Sequence, residues 1–196
     1  MDSGERVFLW ACHVDYWYSA PTDPFEDAWC AERQSAYAQL WNEKYIYTPQ
    51  GVVNGQQAWA FVGSNEIEAR TYINAALEQP VTTGVTLWVE SAPGDDPLVL
   101  TYQVVDPPAD YDLVVVLVER DVDHAITGGE CAGDTLHHDN SMREYFVVPD
   151  ATEGEITLPW AAEQVWENSS VIGWIQVEGT HHIVGATQTH LDPALR

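Results

Sequence analysis

The sequence predicts an α+β protein in two parts, a mixed α/β region over residues 1–82 followed by an antiparallel β-sandwich-like region over residues 83–196. Three observations carry this. Residues up to Gln79 read β-α-β-β-α; short strand-like runs parted by proline, glycine and aspartate clusters follow Gly84; and Gln79-Pro80-Val81-Thr82-Thr83-Gly84 interrupts the pattern between them. A chain of 196 residues with 45% hydrophobic content and nine tryptophans has ample material for a packed core.

Val7-Phe8-Leu9-Trp10-Ala11-Cys12-His13-Val14 is a nearly continuous apolar run of strand length, which predicts a strand buried on both faces. The polar and aromatic stretch Asp15 to Pro21 follows as a loop. Asp23-Pro24-Phe25-Glu26 combines a helix N-cap, proline at the first helical position and an acid three residues after the cap, so a helix starts there. Trp29, Tyr37, Leu40 and Trp41 give it an apolar stripe that runs to about Glu43.

Tyr47-Thr48-Pro49-Gln50 breaks the chain. Gly51-Val52-Val53-Asn54-Gly55 then reads as a short strand entering an Asn-Gly hairpin turn, with Ala58 to Val62 returning. Gly63 to Glu66 supply caps for a helix carrying Ile67, Tyr72, Ile73 and Leu77, which ends before Pro80. Beyond Gly84 the strand-like runs are Val85 to Val89, Leu98 to Val104, Leu113 to Val118, Tyr145 to Val148, Ile156 to Leu158, Val171 to Val177, and Ile183-Val184. Their length and regular turns predict a sandwich of about immunoglobulin size, with one short helical stretch near Ala161 to Trp166.

Seven cations against 31 acids give a net charge of −24, and Lys44 is the single lysine. A surface that had to neutralise phosphates would lack its cations, which excludes nucleic acids and anionic membranes as partners. No apolar run reaches the roughly 18 residues of a spanning helix, and Met1 to Arg6 do not read as a signal peptide. The charge fits either a salty habitat, where screening tolerates such a surface, or an ordinary acidic one. Cys12, Cys30 and Cys131 allow one disulfide in three pairings, with one thiol left over, and no thiolate zinc spacing.

Several residues are candidates for chemistry. His13 and Asp15 share a strand face and could form an acid–base pair or a structural hydrogen bond. Tyr16, Trp17, Tyr18, Phe25 and Trp29 could rim a site for a peptide or sugar, or fill core. Cys131 near His137 and His138 invites a nucleophile reading without a third orienting group. Cys12 and Cys30 read as core thiols. His137-His138, His181-His182 and His124 with Asp139 are metal-capable, but adjacent strand residues face opposite ways, so surface or interdomain hydrogen bonding is preferred and no metal or cofactor is expected.

His13-Val14-Asp15-Tyr16-Trp17, Asp23-Pro24-Phe25, Arg33-Gln34-Ser35-Ala36-Tyr37-Ala38, Tyr47-Thr48-Pro49-Gln50, Val52-Val53-Asn54-Gly55 and Val62-Gly63-Ser64 occur here in an order and spacing that resembles domain-of-unknown-function family 1223, a bacterial thioredoxin-like group. Asp134 to Asn140, with His137, His138, Asp139 and Asn140, resembles the family's second signature together with Arg143. The resemblance implies a thioredoxin core with Pro49 as its cis-proline, and Asp15 and Trp17 lining the site. It also implies a family that is usually exported and carries a cysteine pair at its first core helix. By that resemblance the sequence would start after the opening strand, cysteine turn and helix. Three readings follow: the natural protein is longer, the flanking strands pair directly, or another segment or subunit fills the slot. The first is preferred.

Two functions follow as expectations. The parent family resembles thiol–disulfide oxidoreductases, but without the cysteine pair no disulfide-reductase activity is expected here. The alternative is a non-enzymatic module that binds a peptide or protein in a groove formed by His13, Asp15, Trp17, Thr48 and Pro49. Residues His137 to Asn140 would clamp the two regions together, and metal storage by the histidines is a weaker third reading. An unpaired strand edge would also permit oligomers.

Overall fold

A computed structural model describes residues 7–17, 23–61, 66–91, 97–127 and 132–191. Among them lie two α-helices, α1 (Ala28–Leu40) and α2 (Glu66–Leu77), and the strands β1 (Gln50–Val53), β2 (Gln57–Ala60), β3 (Gly84–Ser91), β4 (Leu98–Val105), β5 (Tyr111–Glu119), β6 (Val122–Ala125), β7 (Thr135–His138), β8 (Ser141–Pro149), β9 (Glu153–Leu158), β10 (Ser169–Val177) and β11 (Ile183–His190). The helical stretch expected near Ala161 to Trp166 is a single 3-10 turn, Trp166–Asn168.

Two antiparallel sheets dominate, one ordered β11-β10-β5-β8 and the other β3-β4-β9. Between them Leu87, Leu98, Leu100, Tyr102 and Leu158 meet Leu113, Val115, Leu117, Val171 and Ile175. The other face of β5 and β10 carries Val114, Val116, Val118, Ile172 and Trp174, which are buried as well. Strand β5 is therefore covered on both sides, which is why its sequence is a continuous apolar run without alternation.

The covering on that second face overturns the thioredoxin-like expectation. Every ladder between the described strands is antiparallel, and β1 pairs with β2 alone, apart from the large sheet. A thioredoxin-like α/β core requires parallel strands joined by helical crossovers. Residues 7–14, expected to be a strand buried on both faces, instead make isolated bridges, Ala11 to Ser141 and His13 to Glu26. Phe8, Trp10, Cys12 and Val14 lie down on the sheet, together with Cys30 and Trp29 of α1. The opposite side faces solvent, with Val7 50% and Leu9 72% exposed. One apolar face suffices for a segment that covers a sheet, and this run supplies it with alternate residues.

Helix α1 begins later than the Asp23 signal predicts. Asp27 is its N-cap and accepts from the Trp29 N–H at 2.8 Å. Asp23 caps a preceding turn, accepting from the Phe25 N–H at 2.9 Å. A disulfide joins Cys12 to Cys30 and ties the covering segment to the helix.

The β1–β2 hairpin turns at Asn54 (φ 48°) and Gly55 (φ 68°), both left-handed as an Asn-Gly turn requires. It is pressed against the β10–β11 connection: the Ile183 N–H donates to the Asn54 carbonyl at 3.0 Å, and a Cβ on Gly55 would sit 1.8 Å from the His181 carbonyl oxygen. Only glycine fits there. Helix α2 packs on the hairpin through Tyr72 against Trp59.

Candidate functional site

Gln34, one of the buried polar residues of α1, organises the chain around Pro49. Its Nε2 donates to the Tyr47 carbonyl at 2.5 Å and to Gln50 Oε1 at 3.0 Å, and its Oε1 accepts from the Tyr16 hydroxyl at 2.8 Å. Both ends of the Tyr47–Gln50 segment are thereby fixed from one side chain. The Trp17 indole N–H donates to Thr48 Oγ1 at 3.0 Å, and the Phe61 N–H donates to the Pro49 carbonyl at 3.0 Å. The Thr48–Pro49 bond is cis. Burial raises the Tyr16 pKa against the opposing bonds from Gln34 and Thr48.

On the outside of this held segment large apolar side chains face solvent: Trp17 is 63% exposed, Tyr45 76% and Phe61 52%, with Ile46 and Tyr47 beside them in the chain. Isolated exposed apolar residues are ordinary; here several lie on, next to or bonded to the segment that Gln34 holds. Of the expected groove, then, Trp17, Thr48 and Pro49 come together. Asp15 instead lines a shallow trough on the outer side of α1 with Ala28, Ala31, Glu32 and Ser35.

His13 belongs to a second cluster. Its Nδ1 meets Asp23 Oδ2 at 2.6 Å, so its carboxylate partner is Asp23 rather than Asp15. The turn before α1 folds back, with the Asp27 N–H donating to the His13 carbonyl at 3.0 Å, and this brings Asp23 to the ring. On the far side Ser141 Oγ lies 3.4 Å from His13 Nε2. The order Ser-His-Asp has the connectivity of a hydrolytic triad. Ser141 is only 1% exposed, however, so its hydroxyl meets no substrate and instead fastens residues 7–14 to the start of β8.

The second signature surrounds this cluster. The Asn140 carbonyl accepts from the Ala11 N–H at 2.8 Å, and the His138 ring packs on Phe25 (4.9 Å between centroids) and on His13 (5.4 Å). His137 faces the other way, its Nδ1 3.0 Å from Asp123, with Asp121 and Asp139 at 4.0 and 3.8 Å from its Nε2, beyond hydrogen-bond reach. Arg143 lies over the Phe25 ring, donates to Glu163 at 2.8 Å and stands 3.7 Å from the buried carboxylate of Glu119. These residues hold the covering segment to the sheet. Among the described residues, no group of three or more histidine, cysteine or acidic side chains could hold a metal ion. Cys131 and Tyr18 lie outside the described residues.

Arg33 occupies an aromatic box. Its guanidinium lies 5.1–5.3 Å from the ring centroids of Tyr37, Trp174 and Trp29, and donates to the Tyr37 hydroxyl at 2.7 Å and to Gln176 Oε1 at 2.8 Å. Burial pulls its pKa down, yet an arginine stays charged. The box substitutes ring faces for a carboxylate, which locks α1 to β10. Gln34, Tyr45, Phe61 and Arg33 are the residues that sequence reasoning did not assign to a site. A polar pair inside the apolar stripe of α1 is the signal that points to Arg33 and Gln34; Tyr45 and Phe61 carry no such mark.

The family model described as Protein of unknown function (DUF1223) matches residues 1–176. The chain belongs to that family. It is similar in fold to the crystal structure of a protein from Agrobacterium tumefaciens, with 19% identity and a TM-score of 0.67, over 94% of this chain and 80% of that one. A domain of the outer membrane lipoprotein Omp28 from Porphyromonas gingivalis also matches, at 12% identity and a TM-score of 0.33, over 57% of this chain and 96% of that one. No curated protein matches the chain.

Proposed function

We propose that this protein is a non-enzymatic binding module that holds an extended peptide or protein segment on the aromatic face around Thr48 and Pro49. One observation carries the reading: Trp17, Tyr45 and Phe61 stay more than half exposed around a chain segment that the buried Gln34 holds rigid from behind. Rigid aromatic anchors lose little entropy on binding and dominate the energetics of interfaces. Among the described residues the neighbouring strand β1 is paired on one side only, so its other edge offers backbone groups to an added strand. The Cys12–Cys30 disulfide supports action in a compartment where thiols oxidise.

The test is selection from a displayed library of unstructured dodecapeptides, with the Trp17→Ala/Phe61→Ala double variant as the reference surface. Peptides selected on the native protein should bind the variant at least about thirtyfold more weakly, the loss expected of truncated aromatic hot spots. Failure to enrich any peptide over the variant surface would refute the reading.

A further inference from the structure

Strands β5 and β8 do not end where their ladder ends. Glu119 stands opposite Ser141 and, after a gap, Val122 stands opposite His138, so β6 and β7 continue the same hairpin in the same register. The break between the two ladders coincides with left-handed backbone on both strands, at Asp121 (φ 59°) and Asn140 (φ 51°). The β6–β7 ribbon is thus an arm hinged on the main sheet. Alternation puts Val122, His124, Leu136 and His138 on one side of it and Asp123 and His137 on the other.

The arm meets the body of the protein through histidine rings. His138 packs on Phe25 and His13, and His124 sits edge-on to Phe25 at 6.4 Å. The Nε2 of His138 is buried and has no hydrogen-bond partner among the described residues. A neutral imidazole can rest there as an aromatic surface, whereas an imidazolium would place an N–H cation where nothing accepts it. Of the charges that act on it, Asp23 alone favours the imidazolium, and both of its oxygens are engaged elsewhere. Arg143 already occupies a face of Phe25. The Asp23 carboxylate has one oxygen on His13 Nδ1 and the other on the Phe25 N–H. Asp121, Asp123 and Asp139 serve His137 on the outer face.

We propose that the β6–β7 arm is a pH-released clasp, docked on Phe25 while His138 is neutral and swung free at the Asp121/Asn140 hinge when His138 takes up a proton. Release exposes Phe25 and the His13–Asp23 pair at the start of α1.

Burial first, and then the interactions with His13, His124 and His137, lower the pKa of His138 when docked, with Asp23 opposing them in part. The freed arm therefore binds more protons than the docked one below the ordinary imidazole value of about 6.5, and docking weakens as pH falls, by up to about tenfold per pH unit for one proton. His137 works in the opposite sense. Its hydrogen bond to Asp123 outweighs desolvation and, with the charges of Asp139, Asp123 and Asp121, raises its pKa. Its stabilisation of the ribbon is full in acid and fades only as pH rises through the raised value, so the arm stays paired while it undocks. Burial of Asp23 opposes ionisation, but bonds from His13 and the Phe25 N–H, with the charges of His13 and His138, lower its pKa. Its contribution is lost only in stronger acid, below the ordinary carboxylate range of about 4, outside the interval in which His138 is invoked.

The experiment is an NMR pH titration of the whole chain from about pH 7.5 to about pH 5, spanning the histidine range. Amides of residues 122–125 and 135–138 and the Phe25 ring should shift together with a midpoint below about 6.5, while β5 and β10 stay fixed. His138→Phe, which keeps a ring on Phe25 but carries no charge, should abolish the transition. Hydrogen-exchange protection of the arm amides in the native chain, corrected for intrinsic rates, should fall by about tenfold or more across the same range. Arm amides with unchanged shifts and protection at about pH 5 would overturn the proposal without any variant, as would a folded His138→Phe protein titrating with the native amplitude.

Discussion

Reducing the Cys12–Cys30 disulfide opens the loop that carries His13, Trp17, Asp23 and Phe25, and the cost follows from the chain. The two cysteines are 18 residues apart, and closing a loop of that length removes about 3 kcal/mol of conformational freedom from the unfolded chain. Reduction requires only a local change in packing: the two sulfurs part to van der Waals distance, Cys30 is buried and Cys12 half-buried, and both remain in the cluster with Trp10, Trp29 and Trp174. The full effect should therefore appear as stability. Urea unfolding of the native protein, with and without a reductant, should differ by about 3 kcal/mol, or a melting temperature lower by roughly 6–12 °C in the reduced form. The variant Cys12→Ala/Cys30→Ala loses the sulfurs as well and should fall about 1 kcal/mol further, through a small cavity. A reduced protein within about 1 kcal/mol of the oxidised one would refute the argument, because the loop would then have to be closed in the unfolded chain by something else.

Two further outcomes test how the two clusters are held. Gln34→Leu keeps the side chain's bulk but strips three partners, the Tyr47 carbonyl, Gln50 and the Tyr16 hydroxyl; it should lower stability by about 2 kcal/mol and weaken peptide binding at Trp17, though Gln34 faces away from the ligand, and an unchanged affinity would show that the support is not needed. Arg143→Met leaves the buried Glu119 carboxylate with the Val165 N–H as its remaining described donor, at 2.7 Å; urea denaturation should show a loss of about 3–5 kcal/mol, largely recovered by adding Glu119→Gln, and a loss without recovery would contradict the charge argument.

Most elements were legible in the sequence because each rests on local chemistry. Asn54-Gly55 demands left-handed backbone, and a hairpin turns there. The continuous apolar run of β5 lies where the sequence puts it, and α1 is capped at Asp27, four residues after the expected Asp23, with Cys30, Gln34 and Tyr37 buried while Leu40 of the expected stripe stays exposed. Strands β6 and β7 were missed because Asp123, His124, Thr135 and His137 read as a polar loop; their pairing is inherited from the β5–β8 ladder rather than from their own composition. The cysteine count left three pairings open, since nothing along the chain brings one thiol to another.

Residue order by itself determined the charge, the Asn-Gly hairpin and the approximate places of both helices and of the strands rich in apolar residues, all consequences of short-range sterics and periodicity. Tertiary structure alone decided that Val7 to Val14 cover a sheet instead of joining its centre, since an apolar run meets either need. It alone decided that His13 finds Asp23 rather than Asp15, and that Gln34 rather than a strand neighbour holds Thr48 and Pro49 in place. Those choices depend on which distant surfaces the folded chain brings within hydrogen-bond reach, and no spacing along the backbone encodes that distance.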